Sequence, residues 1–154
     1  MSIPYSTATA GDKALLQLQR DLAKFGCQSF GTAIDAEKGC TIVSFKWRER
    51  VVSLEASWKG YAAALLKGRK FSSWDHEGKR KAEARAIEQA RISVCSVLRD
   101  WTKAQITAVE AGVMSFEAAF MPHMLLADGR RVIEAAQQAN LLPAPQDEKV
   151  VNIK

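Results

Sequence analysis

Residues 79–112 read KRKAEARAIEQARISVCSVLRDWTKAQITAVEAG, a run without a single proline. A proline would break a helix interior, and this stretch is made mostly of residues that tolerate one. It reads as one long helix, or as two helices meeting near Arg99–Trp101. Ile87, Ala90, Val94, Leu98, Trp101, Gln105 and Ala108 recur at three- and four-residue steps and so share one face. Six of these seven are apolar, which predicts that the face is buried. Lys81, Arg85, Glu88, Arg99 and Lys103 occupy the opposite side. The first turn carries Lys79, Arg80 and Lys81, where the helix dipole favours negative charge. Such a cluster either serves a partner or marks a frayed, solvated start.

A chain of 154 residues is long enough for one domain with a real core. No run of about eighteen apolar residues occurs, so no membrane span is expected. The opening MSIPYSTATAGD lacks the basic start and apolar stretch of a secretory signal. Cys27, Cys40 and Cys95 are odd in number, widely spaced and without a CxxC, which predicts buried free thiols in a reducing compartment. His76 and His123 stand in no ligand-like spacing with them, so no metal site is expected.

The segments around the long helix predict an α+β fold. Residues 1–10 read as a flexible arm, rich in Ser, Thr and Pro. Asp12 is a candidate N-cap for a helix over 13–25, whose apolar stripe is Leu15, Leu18, Leu22 and Phe25, with Gly26 as its C-cap. Three strands follow, over 28–34, 40–47 and 50–58. Phe30 and Ile34 are the inward residues of the first, and AEKG at 36–39 forms the first turn. In the second, Val43, Phe45 and Trp47 alternate with Ile42, Ser44 and Lys46; in the third, Val52, Leu54, Ala56 and Trp58 alternate with Val51, Ser53, Glu55 and Ser57. One apolar and one mixed face on each is the pattern of an antiparallel sheet covered on one side. A short helix is expected within 59–68. Beyond the long helix, Gly112 is the stop, and helices are expected over 115–121, with Phe116, Ala119 and Phe120 inward, and over 131–141, with Val132, Ala135, Ala136 and Ala139 inward. The predicted architecture is a three-stranded antiparallel sheet packed on one face by the N-terminal helix and the long central helix, with short C-terminal helices. Residues 11–142 form the domain and 143–154 a tail, whose VVNI at 150–153 is apolar enough to pair with something.

Charge is the one global feature that points outward. Residues 41–104 hold fourteen Lys or Arg and seven Asp or Glu, a net of +7, while the rest of the chain is −2. A basic block of this kind suits a polyanion. Lys46, Arg48 and Arg50 fall at a hairpin tip, and Arg69, Lys70, Lys79, Arg80 and Lys81 fall in a loop and helix start. If the two clusters meet in space, they form one phosphate-binding patch beside Trp47, Trp58 and Trp74. Phe71 and Trp74 interleave with the second cluster; exposed, they would stack on bases, and buried, they would pin the loop to the core. Glu49, Asp75, Glu77 and Glu83 lie in the same block and would neutralise part of it.

No catalytic class shows its usual local signature. HExxH, DxD, GxxxxGK[ST], GxGxxG and GxSxG are all absent, and Asp75-His76 are adjacent residues that rarely point as a base and its orienter must. The expectation is a non-enzymatic protein with no catalytic residue, no cofactor and no metal.

Two resemblances bear on this. Trp101, Ala108-Val109-Glu110, Gly112, Phe116-Glu117, Phe120 and Asp128-Gly129-Arg130 together resemble a group of small proteins encoded by tailed phages and prophages. The resemblance implies a phage or mobile-element origin and a bacterial cytoplasmic setting, and carries no activity with it. The order helix, three antiparallel strands, long helix is similar to that of double-stranded-RNA-binding domains, with Lys79-Arg80-Lys81 echoing their basic helix start. The helix and charged loop over 59–78 have no counterpart in that pattern. These readings predict a nucleic-acid-binding accessory protein acting in replication, recombination or packaging, on single- or double-stranded DNA or RNA. The alternative is an inhibitor or adaptor directed at a host defence protein. A third reading is self-association through the long helix by exposed Val97, Ile106 or Val113.

Overall fold

The computed structural model describes residues 3–145. The run at 150–153 and most of the expected tail lie outside them. The elements are α1 (Gly11–Phe25), β1 (Ser29–Asp35), β2 (Cys40–Trp47), β3 (Arg50–Ser57), α2 (Trp58–Leu66), α3 (His76–Glu110), α4 (Phe116–Phe120), a 3-10 turn (Met121–His123) and α5 (Val132–Gln138). The strands form an antiparallel sheet in the order β1-β2-β3. This is the predicted α+β architecture.

The sheet register follows from side-chain alternation. Val43 lies opposite Leu54 and Phe45 opposite Val52, so four apolar side chains share one face. Leu18 and Leu22 of α1, Leu98 and Ile106 of α3, and Phe116 and Phe120 of α4 close over that face into one core. Phe30 pairs with Phe45 and joins it, whereas Ile34, on the same face, stays 59% exposed beside an open hollow that it lines with Leu15 of α1 and Ile92 of α3. Trp58, expected at the end of β3, instead opens α2. Ser57 is its N-cap, with Oγ accepting from the Gly60 amide at 2.9 Å.

The long pattern is one helix of 35 residues, with no break at Arg99–Trp101. It begins at His76, before the predicted start. Asp75 caps it, accepting from the Gly78 amide at 3.1 Å, and Glu77 lies in the first turn. Lys79, Arg80 and Lys81 therefore sit in the second turn, and the expected clash with the helix dipole is offset by two acids. Ala90, Val94 and Leu98 are buried as the spacing predicts. Further on, the buried positions are Thr102 and Ile106, and Trp101 and Gln105 are half-buried. Ile106, expected as an exposed contact for self-association, is core; Val97 is half-buried and Val113 exposed. The middle of α3 is buried on all sides, from Ser93 to Ser96, because α1 and α2 both pack on it.

Other expectations change in detail. Asp12 does not cap α1, which begins at Gly11 with Asp12 in its first turn; Gly26 does end it, with φ +104°. Pro122 lies within the 3-10 turn that follows α4, and after it Met124 and Leu125 bridge Val52 and Arg131. α5 is shorter than predicted and buries none of its residues fully; Ala139 is exposed. It is tethered by Arg131, whose guanidinium meets Glu55 at 3.2 Å and Glu134 at 3.0 Å. The segment expected to be a loose arm is strapped across α3. Tyr5 Oη donates to Asp100 at 2.7 Å, Ser93 Oγ to the Tyr5 carbonyl at 2.8 Å, Gln89 Nε2 to the Ala8 carbonyl at 3.0 Å, and Tyr61 Oη to the Pro4 carbonyl at 2.6 Å. A polar segment binds here because the helix offers polar side chains where composition alone suggests only solvent.

Of the residues singled out between Trp101 and Arg130, Trp101, Val109, Phe116 and Phe120 are packing residues. Trp47 stacks on Phe116 at 4.3 Å, Phe116 on Phe120 at 4.8 Å, and Trp101 meets Phe120 edge-on at 5.8 Å. Gly112 and Gly129 adopt positive φ, the first in the turn that ends α3 and the second in the Asp128-Gly129 turn.

Two stability outcomes follow. The Thr102 side chain is fully buried, and its hydroxyl has no hydrogen-bond partner among the described residues. Thr102→Val keeps the shape and removes that unpaired group, so urea unfolding should show a gain of about 1 kcal/mol. Gln89→Ala deletes the bonds to Ala8 and Ser93. It should cost about 1–2 kcal/mol and speed protease cleavage within residues 3–10.

Candidate nucleic-acid interface

The two predicted basic clusters lie at opposite ends of the molecule. Trp47, at the hairpin tip, packs on Phe25 and Phe116, beside the C-terminal half of α3. Lys79, Arg80 and Lys81 lie near the other terminus of that helix. The twenty-seven residue steps from Lys79 to Ile106, at 1.5 Å each, separate the two ends by roughly 40 Å. Lys46, Arg48 and Arg50 therefore form no common patch with the loop and helix-start cations. Trp58, expected beside that patch, is buried against Ala62, Ala86, Ala90 and Val94.

At the hairpin tip the charges are largely answered locally. Lys46 pairs with Glu49 at 3.4 Å and Arg50 with Glu117 at 3.8 Å, while the Arg48 guanidinium lies 4.4 Å over the Trp47 ring. The turn is tight: Trp47 pairs with Arg50, leaving Arg48 and Glu49 as its two central residues, with φ +45° and +66°. Two positive-φ positions favour Asn-Gly, so Arg-Glu is strained here.

The other end is built differently. α2 leaves the sheet at the end of β3 and packs under the first half of α3 through Trp58 and Ala62 against Ala86, Ala90 and Val94. The connection at 67–75 forms the far tip of this helical pair. Lys67, Arg69, Lys70, Trp74, Lys79, Arg80 and Lys81 are all exposed there. Trp74 is 81% exposed, so it does not pin the loop; Phe71 is half-buried with the Arg69 guanidinium 5.4 Å over its ring. A surface hollow of about 460 Å³ lies in this tip, lined by Arg69, Phe71, Asp75, His76 and Lys79 among others. Lys81 pairs with Glu77 at 3.2 Å and Lys79 with Glu83 at 3.9 Å, both solvent-exposed and so easily exchanged for a phosphate. Among the described residues Arg69, Lys70 and Arg80 have no acidic partner within 4 Å.

A chemically different hollow of about 450 Å³ lies between β3 and α3, lined by Tyr61, Val94, Val97, Trp101 and His123 among others. Burial, and then the charge of Arg131, lower the His123 pKa below the ordinary histidine range, so the ring is neutral at pH 7. Trp101 meets it edge-on at 5.5 Å, and His123 is thus a packed residue. The cysteines are free, with Cys40 and Cys95 buried. Burial raises the Cys27 thiol to about 11, and also raises those of Cys40 and Cys95, so none is an activated nucleophile. Among the described residues no group of three or more His, Cys, Asp or Glu is placed to hold a metal, and no helix is long and apolar enough to cross a membrane.

The cations and Trp74 are visible in the sequence, but the overhanging helical pair that carries them is not obvious there. The signal for it is a helical pattern over thirty residues long beside strands of about eight. The strain at the hairpin tip has a direct test. Arg48→Asn with Glu49→Gly should raise stability by about 1 kcal/mol in urea unfolding, after allowing for removal of the Lys46 pair. Comparisons with protein-family models, curated proteins and solved structures gave no match.

Proposed function

We propose that this protein is a non-enzymatic nucleic-acid-binding accessory protein of a phage or mobile element, acting in replication, recombination or packaging. The tip formed by the α2–α3 connection and the start of α3 is its contact surface. The observation that carries the reading is Trp74, a large aromatic standing 81% exposed within a segment crowded with cations. A buried tryptophan would have meant packing. An exposed one beside Arg69, Lys70, Lys79, Arg80 and Lys81 offers a ring for a base and charge for phosphate. The phage setting comes from the resemblance over Trp101 to Arg130.

The separation of the two basic clusters narrows the assignment. Lys46, Arg48 and Arg50 are roughly 40 Å away along α3, and the tryptophan beside them, Trp47, is packed on Phe25 and Phe116. The proposed contact set is therefore Arg69, Lys70, Trp74, Lys79, Arg80 and Lys81. One observation favours the second reading, an inhibitor or adaptor that binds a host protein. The segment after α3 exposes Val113, Met114, Met121, Leu125 and Leu126, which suits a protein surface better than a polyanion.

Two triple variants test the assignment by fluorescence anisotropy across a salt series. Replacing Lys79, Arg80 and Lys81 with Ala should weaken nucleic-acid binding and flatten its salt slope by about 0.7–0.9 for each phosphate no longer neutralised. Replacing Lys46, Arg48 and Arg50 should leave both nearly unchanged. Equal weakening in the two variants would show that the tip is not the contact surface, and native protein that binds nothing at low salt would overturn the function.

A further inference from the structure

Resting on that function, we infer that the ligand class is single-stranded nucleic acid, gripped by stacking of an unpaired base on Trp74. Three observations lead there. First, the aromatic is 81% exposed in the α2–α3 connection, directly after exposed Ser72 and Ser73. A ring that protrudes in this way can meet the face of a base only if that base is not already stacked within a duplex. Extruding a base from a duplex costs a few kcal/mol, a cost that a strand with unpaired bases does not carry.

Second, the cations form a compact group. Arg69, Lys70, Lys79, Arg80 and Lys81 belong to one loop and one helical turn. The next basic cluster is at the far end of α3. A duplex lying along the molecule would meet a positive tip and then a stretch of α3 where exposed Glu83 and Glu88 balance exposed Arg85 and Arg91. A single strand bends sharply enough to satisfy a local group of cations, and its bases are free to turn toward the ring.

Third, the Phe71 ring and the Arg69 guanidinium are already associated at 5.4 Å on the wall of the adjoining hollow, with Asp75 and His76 beside them. This wall offers a second planar surface and both donors and acceptors. Asp75 and Glu83 line the hollow together with Arg69 and Lys79, so acceptors for base edges stand beside cations for phosphate, and an unpaired base has its edges accessible to them.

The test uses the intact protein with labelled oligo-dT, a random-sequence single strand and a duplex of the same sequence, each over a salt series. The single strands should bind more tightly than the duplex. Trp74→Ala should weaken single-strand binding roughly five- to a hundredfold with an unchanged salt slope, because stacking and counterion release are separate terms. Trp74→Phe should recover most of the affinity. Duplex binding equal to single-strand binding, or single-strand affinity indifferent to Trp74→Ala, overturns this inference while the nucleic-acid function stands. No binding to any of the three overturns both this inference and the nucleic-acid function it rests on.

Discussion

A helix advances 1.5 Å per residue and a strand about 3.4 Å, so the 35 residues of α3 span about 50 Å and the eight of β2 about 27 Å. The sheet can cover only about half of the helix. The rest has to find another partner or stand in water with its apolar stripe exposed. The half from Leu98 onward closes the main core with Val43, Phe45, Val52 and Leu54. The other half is covered by α2, through a separate cluster of Trp58, Ala62, Ala86, Ala90 and Val94. At the junction, where both coverings meet, the helix is buried all round and turns to small or polar side chains at Ser93, Cys95 and Ser96. These leave room for close neighbours and provide the hydroxyl that holds the N-terminal strap.

That length mismatch also places the charge. Because α2 and the first half of α3 project beyond the sheet, their connection is an extremity with little to pack against. A tryptophan put there stays exposed, Lys79 and Lys81 find only exposed acids, and Arg69, Lys70 and Arg80 have no acidic partner among the described residues. The hairpin tip shows the opposite case. It lies against α1 and α4, so Trp47 is absorbed into a stack with Phe25 and Phe116, and its cations find Glu49, Glu117 and an aromatic face. Two clusters of similar composition acquire different chemistry from their position alone.

Much of the fold is legible in the chain because it rests on local periodicity. The two-residue alternation of 40–47 and 50–57 sets the sheet register, and Gly26 and Gly112 end helices by positive φ. Caps are less legible. Asp12 has the setting of an N-cap and is not one, whereas Asp75, four residues upstream of the basic run, is. The buried face of α3 follows its spacing at Ala90, Val94 and Leu98 and then drifts to Thr102 and Ile106. A single stripe describes a helix with one partner, and this helix has different partners along its length. The N-terminal segment reads as loose because its residues are polar and aperiodic. Its binding depends on Gln89, Ser93 and Asp100, more than eighty positions away in sequence.

The sequence by itself determined the elements, the single apolar face of the sheet, the long helix and the presence of cations beside Trp74, since each of these is a matter of neighbouring residues and their period. Only the tertiary structure decided which cations share a surface, whether Trp74 is core or exposed, and that Ile106 is interior. Those depend on what packs against what across long sequence separations, and neither periodicity nor composition carries that information.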